Sequence, residues 1–287
     1  MGQISDKLLK RLGRSRKLAK GIRQAADAIQ HALDALGRGE SIPLSRGEVF
    51  DPLHTVYIAV QNATSIFAER VSVLREFKPY YQLAAKAEDE YLPSGPPMSP
   101  LTRSYFTTWA FFDLRFGPDR ETIGTCLLDV GESLGFEAGV LDVIRTCSES
   151  RMGIYAHRES RDGRCLLREL ITGDQFDCSV PAGYPGRTGE LWFVRLLPPI
   201  GPVDYHVVVT TPYILLGFGG ADWTAYLNKS LIGLTTSERR RRLHELLKYG
   251  REPDQWPEFI FRAYHHHQFD AIFLTGLPDV KGSLPHA

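Results

Sequence analysis

The spacing of apolar residues changes twice along this chain of 287 residues. Up to about Cys147, apolar side chains recur every three or four residues, the spacing that lines one face of an α-helix. From about residue 151 to residue 218 they form short β-branched and aromatic runs separated by Gly, Pro and Asp, which is typical of strands. Beyond Gly220 the helical spacing returns. This order predicts an α+β fold and not alternating βαβ units.

The same spacing divides the chain into four segments. The first ends where Gly37 and Gly39 interrupt an apolar stripe that begins at Ile4. Residues 1–40 are expected to form one long basic amphipathic helix, and residues 41–150 a helical region. Residues 151–218 are expected to form a small antiparallel β-barrel or twisted sheet. Residues 219–287 are expected to form C-terminal helices with one further strand at AIFLTG, packed on the β-domain.

Positive charge is concentrated near the beginning of the chain. Over the whole sequence 34 basic residues balance 34 acidic ones, but residues 1–24 hold eight cations against one acid, Asp6, a net charge of +7. Cations on the polar face of a helix can bind a phosphate backbone or a membrane surface; they can equally form a solvated face or pair with acids of the same chain. The candidate nucleic-acid or polyanion-binding residues, including part of a second basic run, are Lys7, Lys10, Arg11, Arg14, Lys17, Arg239 and Arg240.

Two further kinds of contact follow from the predicted elements. Small β-barrels bind nucleic-acid strands on an exposed face, where Trp192, Phe193 and Tyr205 are candidates to stack bases; alternatively, these aromatic residues belong to the core. A second copy of the chain is another candidate partner, because a long helix standing alone cannot bury its apolar stripe.

Three consecutive histidines, His265, His266 and His267, stand just before AIFLTG. Neighbouring side chains on a helix point about 100° apart, whereas residues 265 and 267 of a strand would share a face. The candidate metal ligands are therefore His265, His267 and Asp270, with a further ligand from His206, His244 or His286. The alternative interpretation is a polar helix end whose imidazoles cap carbonyl groups.

Two glycine-containing patterns complete the candidate sites. GESLG places Ser133 in the attacking position of the Gly-x-Ser-x-Gly pattern of hydrolases, which requires a strand-to-helix turn, although the surrounding spacing is helical. LLGFGGADW places Gly217, Gly219 and Gly220 between a strand and a helix, where backbone amides bind phosphate or simply form a turn with Asp222 capping the helix.

The cysteines and the apolar runs predict the compartment. Cys126, Cys147, Cys165 and Cys178 form no Cys-x-x-Cys pair and are expected to be reduced core thiols. No apolar run reaches the ~18 to 20 residues of a membrane helix, and the N-terminus lacks the apolar segment of a secretion signal. The sequence therefore predicts a cytoplasmic protein without a cofactor.

Two passages together resemble one protein family. LLRELITGDQFDCSVPAGYPGRTGELWFVRLLPP (166–199) and WPEFIFRAYHHHQFDAIFLTGLPDVKGSLPHA (256–287) resemble an uncharacterised group of bacterial proteins that join a helical region to a small β-domain. The first passage is also similar to β-segments of bacterial proteins with a C-terminal cysteine-rich zinc motif of the SecA type, a motif that this sequence lacks. The resemblance implies a bacterial origin and brings no activity or catalytic residue with it.

The leading hypothesis is a non-enzymatic binding protein that contacts nucleic acid through its basic N-terminal helix. The motivation is a concentrated local charge in a sequence without a strong catalytic motif. The alternative is a hydrolase-type or metal-dependent enzyme, with a site near the C-terminal histidine cluster that includes His206, His265, His267 and Asp270.

Overall fold

The computed structural model describes residues 1–13, 15–40, 51–91, 98–268 and 270–280. The chain forms two compact units. The helical unit comprises residues 1–85, 107–150 and 198–204, and the β-unit comprises residues 86–106, 151–197 and 205–287. Helices and strands are thus segregated, and the predicted α+β class is confirmed.

The first half of the chain is helical. Its elements are α1 (Gln3–Leu12), α2 (Arg16–Gly37), α3 (Pro52–Val71), a 3₁₀ turn (Arg75–Phe77), α4 (Lys78–Asp89), α5 (Pro100–Phe112), α6 (Ile123–Leu134) and α7 (Ala138–Glu149). Both α4 and α5 contribute residues to each unit. Among the helices of the described ranges, not one is sufficiently long and apolar to cross a membrane.

The single long helix expected over residues 1–40 is wrong, because the segment contains the two helices α1 and α2. The Ser15 side chain accepts a hydrogen bond from the Leu18 amide at 3.4 Å and so caps α2. A serine that bonds to the backbone in this way favours starting a helix over continuing one. The apolar stripe runs through the break, so its spacing alone does not reveal it. Arg14 lies outside the described residues.

A buried carboxylate holds the beginning of α1. The two oxygens of Glu121 accept hydrogen bonds from the Ile4 and Ser5 amides at 2.8 and 2.9 Å, and Asp119 accepts one from the Gln3 amide at 2.8 Å. These amides have no partner within their own helix, and the positive end of the helix dipole stabilises the negative charge. Glu121 thereby fixes α1 to the rest of the helical unit.

Replacing Glu121 with alanine should lower the free energy of unfolding by about 2 to 4 kcal/mol, since two buried amides lose a charged acceptor. Urea denaturation followed by circular dichroism measures the change. Asp119→Ala is the matched control, because it removes an acceptor from one exposed amide. Equal losses in the two variants would contradict the assignment.

A half-buried histidine makes the stability of the helical unit depend on pH. Burial lowers the pKa of His54, in the first turn of α3, to about 4. A histidine in an unfolded chain titrates near 6.5, so between these values the unfolded state binds a proton that the folded state does not. Stability that is present above pH 6.5 is therefore lost as the pH falls toward 4.

The variant His54→Gln should reduce this acid-induced loss, which amounts to at most about 1.4 kcal/mol per pH unit for one histidine. Free energies of unfolding at pH 7 and pH 5 give the slope for the wild type and the variant. Exposed His31 provides the control substitution. If His54→Gln and His31→Gln both leave the slope unchanged, burial of His54 is not its cause.

The β-unit contains a closed barrel. Its strands are β1 (Met152–Arg161), β2 (Arg164–Glu169), β3 (Gln175–Ser179), β4 (Leu191–Leu197), β5 (His206–Val208), β6 (Tyr213–Leu216), β7 (Tyr264–Gln268) and β8 (Ala271–Thr275). The barrel order is β1-β2-β3-β5-β4, and β4 pairs back with β1. From β4 the sheet continues through β6 and β8 and ends at β7.

The sequence predicts an antiparallel barrel and one additional C-terminal strand, and the structure differs from both expectations. The pairs β3/β5 and β6/β8 are parallel. The C-terminal segment adds two strands, because AIFLTG forms β8 as predicted while the three histidines lie on β7. Their assignment to a helix end is wrong, since α10 ends at Ala263.

Three helices of the C-terminal segment belong to the β-unit. They are α8 (Gly220–Asn228), α9 (Thr236–Tyr249) and α10 (Gln255–Ala263). Trp256 of α10 packs against Phe193 of β4, with ring centroids 5.1 Å apart. The opposite face of the same strand carries Trp192 into the barrel interior, where its neighbours include Tyr155, Leu167 and Ile214. Both faces of β4 are therefore buried.

Candidate functional site

The cations of α1 and α2 form an exposed surface on the helical unit. Both helices bury their apolar stripes, among them Leu8 and Ile22, and this orientation turns their charged positions toward solvent. We call the following residues the basic surface: Lys7, Lys10, Arg11, Arg16, Lys17, Lys20, Arg23 and Arg70. Arg70 reaches α2 from α3, and its guanidinium carbon lies 3.5 Å from the position that a Cβ atom would take at Gly21.

Ion pairs distinguish the two helices of the basic surface. On α1, Lys10 pairs with Asp6 at 2.6 Å and Arg11 pairs with Glu76 at 2.9 Å. The α2 cations Arg16, Lys17, Lys20 and Arg23 are exposed, and no carboxylate of a described residue lies within 4 Å of them. The charge of α2 is therefore available to a partner, whereas that of α1 is partly neutralised within the chain.

The position of these cations on α2 is unfavourable for the helix itself. Arg16 and Lys17 occupy the first turn, which contains no acidic residue. A cation near the positive end of a helix dipole costs roughly 0.3 to 1 kcal/mol, whereas an anion there stabilises the helix. The dipole and the side chains reinforce one another, so the start of α2 attracts anions.

The second basic run is engaged within the β-unit. Arg239 donates to the Leu231 carbonyl at 3.1 Å and to Asn228 Oδ1 at 3.0 Å. Arg240 pairs with Asp174 at 3.3 Å. The Arg239 contacts hold the loop before α9, and the Arg240 ion pair joins α9 to the β2–β3 turn. Both arginines therefore stabilise the fold of the β-unit.

In its described residues, the barrel surface lacks the exposed aromatic rings and the excess positive charge that would bind a polyanion. Trp192 and Phe193 are fully buried, so the core alternative is correct for both, and the Arg164 guanidinium covers the Tyr205 ring at 4.1 Å. A cleft of about 460 Å³ at β1–β3 is lined by residues of both charges, Glu159, Arg161, Asp162, Arg164 and Asp177, together with Cys165 and Leu166. Arg164 pairs there with Asp177 at 3.0 Å.

The three histidines are exposed on β7, the last strand of the sheet. The Tyr264 hydroxyl and His267 Nδ1 are 2.6 Å apart, and the His266 ring packs on Phe273 at 5.0 Å. Asp270 is exposed just beyond the strand. In the part of the chain that the structure describes, no group of three His, Cys, Asp or Glu side chains is placed to hold a metal ion. The candidate ligand His286 lies outside that part.

The two glycine-containing patterns are structural. Ser133 is exposed in the last turn of α6, and Gly135 ends that helix in the left-handed conformation, so GESLG lies on a helix and not on a strand-to-helix turn. At the start of α8 the Asp222 carboxylate accepts a hydrogen bond from the Gly219 amide at 2.8 Å. This carboxylate disfavours a second anion at the same place.

A polar cluster that the sequence analysis did not identify lies between β1 and the loop before β4. His157 Nε2 is 2.9 Å from Ser160 Oγ, and Ser160 also donates to the Pro185 carbonyl. Glu190 accepts hydrogen bonds from the Trp192 indole at 3.1 Å and from the Tyr184 hydroxyl at 3.0 Å. Ser160 and Tyr184 border a cleft of about 390 Å³.

A β-bulge brings Ser160 onto the same face as His157. Residues three apart on a regular strand point to opposite faces. Here the pairing of β1 with β2 shifts between His157 and Glu159, which inserts one extra residue and reverses the alternation. The spacing in the sequence gives no sign of this contact.

The hydrogen bonds argue against a nucleophilic role for Ser160. Because Ser160 donates its proton to a carbonyl, His157 Nε2 must carry the proton that it shares with Ser160, and it is not free to act as a base. Burial lowers the pKa of His157, and its Nδ1 atom has no hydrogen-bond partner among the described residues. The cluster therefore holds the loop before β4 in place.

A fluorophosphonate probe should accordingly leave Ser160 unlabelled in the folded protein. Mass spectrometry of the treated protein measures the labelling at each serine. Labelling of Ser160 that disappears in His157→Gln would show that the pair acts as a catalytic dyad after all.

Comparisons with protein-family models, curated proteins and solved structures found no match to this chain. Its function must therefore be inferred from the geometry of its own residues. Of the sites considered, the start of α2 combines exposure, excess charge and the absence of a described acidic partner.

Proposed function

We propose that this protein is a non-enzymatic, cytoplasmic binding protein that contacts nucleic acid through its basic surface. The supporting observation is the set of α2 cations that are exposed, lack a carboxylate partner among the described residues, and occupy the positive end of a helix. Nucleic acid supplies the density of negative charge that such an arrangement would bind, about one charge per 1.7 Å of duplex axis.

The cations of α2 have a spacing that suits a phosphate backbone. Arg16, Lys20 and Arg23 follow one another at intervals of four and three residues and so lie along one side of the helix. With a rise of about 1.5 Å per residue, this row is about 10 Å long. Contacts from such a row to phosphates position a nucleic acid but read no base sequence, so we expect binding without sequence preference.

A membrane surface is the rival polyanion. Amphipathic helices bind membranes by placing their apolar face among the acyl chains. In α1 and α2 the apolar face, including Leu8, Leu12 and Ile29, is buried within the chain, which leaves only the electrostatic part of that attraction. The same burial removes the argument that α1 and α2 need a second copy of the chain to cover their stripe.

The barrel has a secondary role in this proposal. Five-stranded Greek-key barrels commonly bind oligonucleotides on the face of strands 2 and 3. Here that face is of mixed charge, and Arg164 is already paired with Asp177. We therefore assign the principal contact to α2.

The enzyme alternative gains no support from the described residues. His265 and His267 lie exposed on an edge strand, His157 is not placed to activate Ser160, and no metal-binding group of three ligands is found in the described ranges.

Binding should weaken steeply with salt. If four phosphates are contacted, the logarithm of the association constant should fall with the logarithm of salt concentration at a slope of about −3 to −4. Fluorescence anisotropy with a labelled oligonucleotide, single-stranded and duplex, measures this slope. Salt-independent binding, or no binding at low salt, would contradict the proposal.

The decisive variant replaces Arg16, Lys17, Lys20 and Arg23 with glutamine. This variant should bind nucleic acid at least tenfold more weakly, with a flatter salt slope. Its free energy of unfolding should not fall, because the substitutions remove positive charge from the positive end of the α2 dipole. The matched control removes four exposed cations from the β-unit, Arg158, Arg168, Arg187 and Arg241. Equal weakening in the two variants would contradict a site on α2. Binding to anionic vesicles but not to oligonucleotides would assign the surface to a membrane.

A further inference from the structure

Two cysteines face each other across neighbouring strands of the barrel. Cys165 on β2 and Cys178 on β3 are direct partners in the antiparallel register. Direct partners on antiparallel strands have Cα atoms about 4.5 to 5.5 Å apart, within the range of about 4.4 to 6.8 Å that a disulfide requires. Both side chains lie in the barrel core and are free thiols. The backbone therefore holds them in a position to be bridged.

The two cysteines are neighbours in the register but differ in their position relative to the clefts. A hydrogen bond with Cys165, together with burial, raises the pKa of Cys178. Cys165 borders both the 460 Å³ cleft and the 390 Å³ cleft, whereas Cys178 borders neither. Both cysteines are buried, and Cys165 is the one that lies beside the clefts, so we assign the first reaction to its thiol.

The clefts do not select a reagent by its charge. Arg161 and Arg164 line both of them, but Arg161 pairs with Asp162 at 3.5 Å and Arg164 pairs with Asp177 at 3.0 Å. Size and an accessible sulfur–sulfur bond are therefore what a reagent for Cys165 requires, and oxidised glutathione is a small disulfide that offers both.

We propose that Cys165 and Cys178 form a reversible disulfide by exchange with a small disulfide of the glutathione type. The Cys165 thiolate, after loss of its proton to solvent, attacks one sulfur of the reagent, forms a mixed disulfide and releases one glutathione thiolate, which takes up a proton. Cys178 then loses its proton and attacks the Cys165 sulfur, which releases the second glutathione. Two protein thiols are oxidised, and one reagent disulfide is reduced to two thiols.

Closure of this bond would stiffen the β2–β3 hairpin. The bridge would close a short loop that contains the turn at residues 170–174, and such closure restricts the unfolded chain. We therefore expect the oxidised protein to unfold at a higher temperature than the reduced protein. The other two cysteines, Cys126 and Cys147, lie on α6 and α7 of the helical unit and serve as internal controls.

The test uses the folded wild-type protein treated with oxidised glutathione. Remaining thiols are alkylated under denaturing conditions, and tryptic peptides are weighed without reduction. The expected product joins CLLR (165–168) to ELITGDQFDCSVPAGYPGR (169–187), with a mass lower than the two peptides by two hydrogens. Dithiothreitol should restore the separate peptides, and Cys126 and Cys147 should be alkylated throughout.

Variants separate the two steps. Cys178→Ser should retain one glutathione on Cys165, Cys165→Ser should form no product, and Cys126→Ser should behave as the wild type. Three outcomes would overturn the proposal: a linked peptide that forms only in urea, a link that involves Cys126 or Cys147, or a wild-type protein that keeps glutathione on Cys165 without closing. The wild-type peptide masses decide the matter even if a variant does not fold.

Discussion

The pairing of β1 with two different partners is the constraint on which the β-unit depends. One edge of this strand pairs with β2 and the other with β4, and the second pairing closes the sheet into a barrel. A strand that pairs with a different neighbour along each of its edges has to bend for the sheet to close. The bulge between His157 and Glu159 provides such a bend. The same bulge places Ser160 beside His157 and next to the cleft that Cys165 borders. Closure of the barrel and the shape of its clefts therefore have one origin.

The helical unit uses the positive ends of two helices in opposite ways. At α1 the free amides are satisfied by the buried Glu121, an internal anion supplied by the fold. At α2 the corresponding place carries Arg16 and Lys17, and the side chain that caps it is the neutral hydroxyl of Ser15. The first arrangement stabilises the fold, and the second leaves positive charge for something outside the chain. This contrast within one unit is the physical basis for proposing a nucleic-acid partner.

The sequence predicted what short-range patterns control. Periods of three to four and of two separated the helical from the β-rich segments, and AIFLTG formed the strand that was expected. The break at Ser15 was not predicted because the apolar stripe continues across it. A helix end was an alternative for the three histidines because the helical spacing returns beyond Gly220 and precedes them. The pairing of Cys165 with Cys178 and of His157 with Ser160 depends on register and on a bulge, which arise only when distant strands meet.

The order in which the chain builds its two units limits how the protein can be divided. The polypeptide passes from one unit to the other five times, and each unit is assembled from three separate stretches. No contiguous fragment contains one unit whole without residues of the other unit. The shortest fragment with the whole helical unit, residues 1–204, also carries residues 86–106 and 151–197 of the β-unit, and the shortest with the whole β-unit, residues 86–287, also carries residues 107–150 and 198–204 of the helical unit. A cut at any one of the boundaries between these stretches therefore separates part of at least one unit from the rest of it, unlike a cut at a linker between two independent domains.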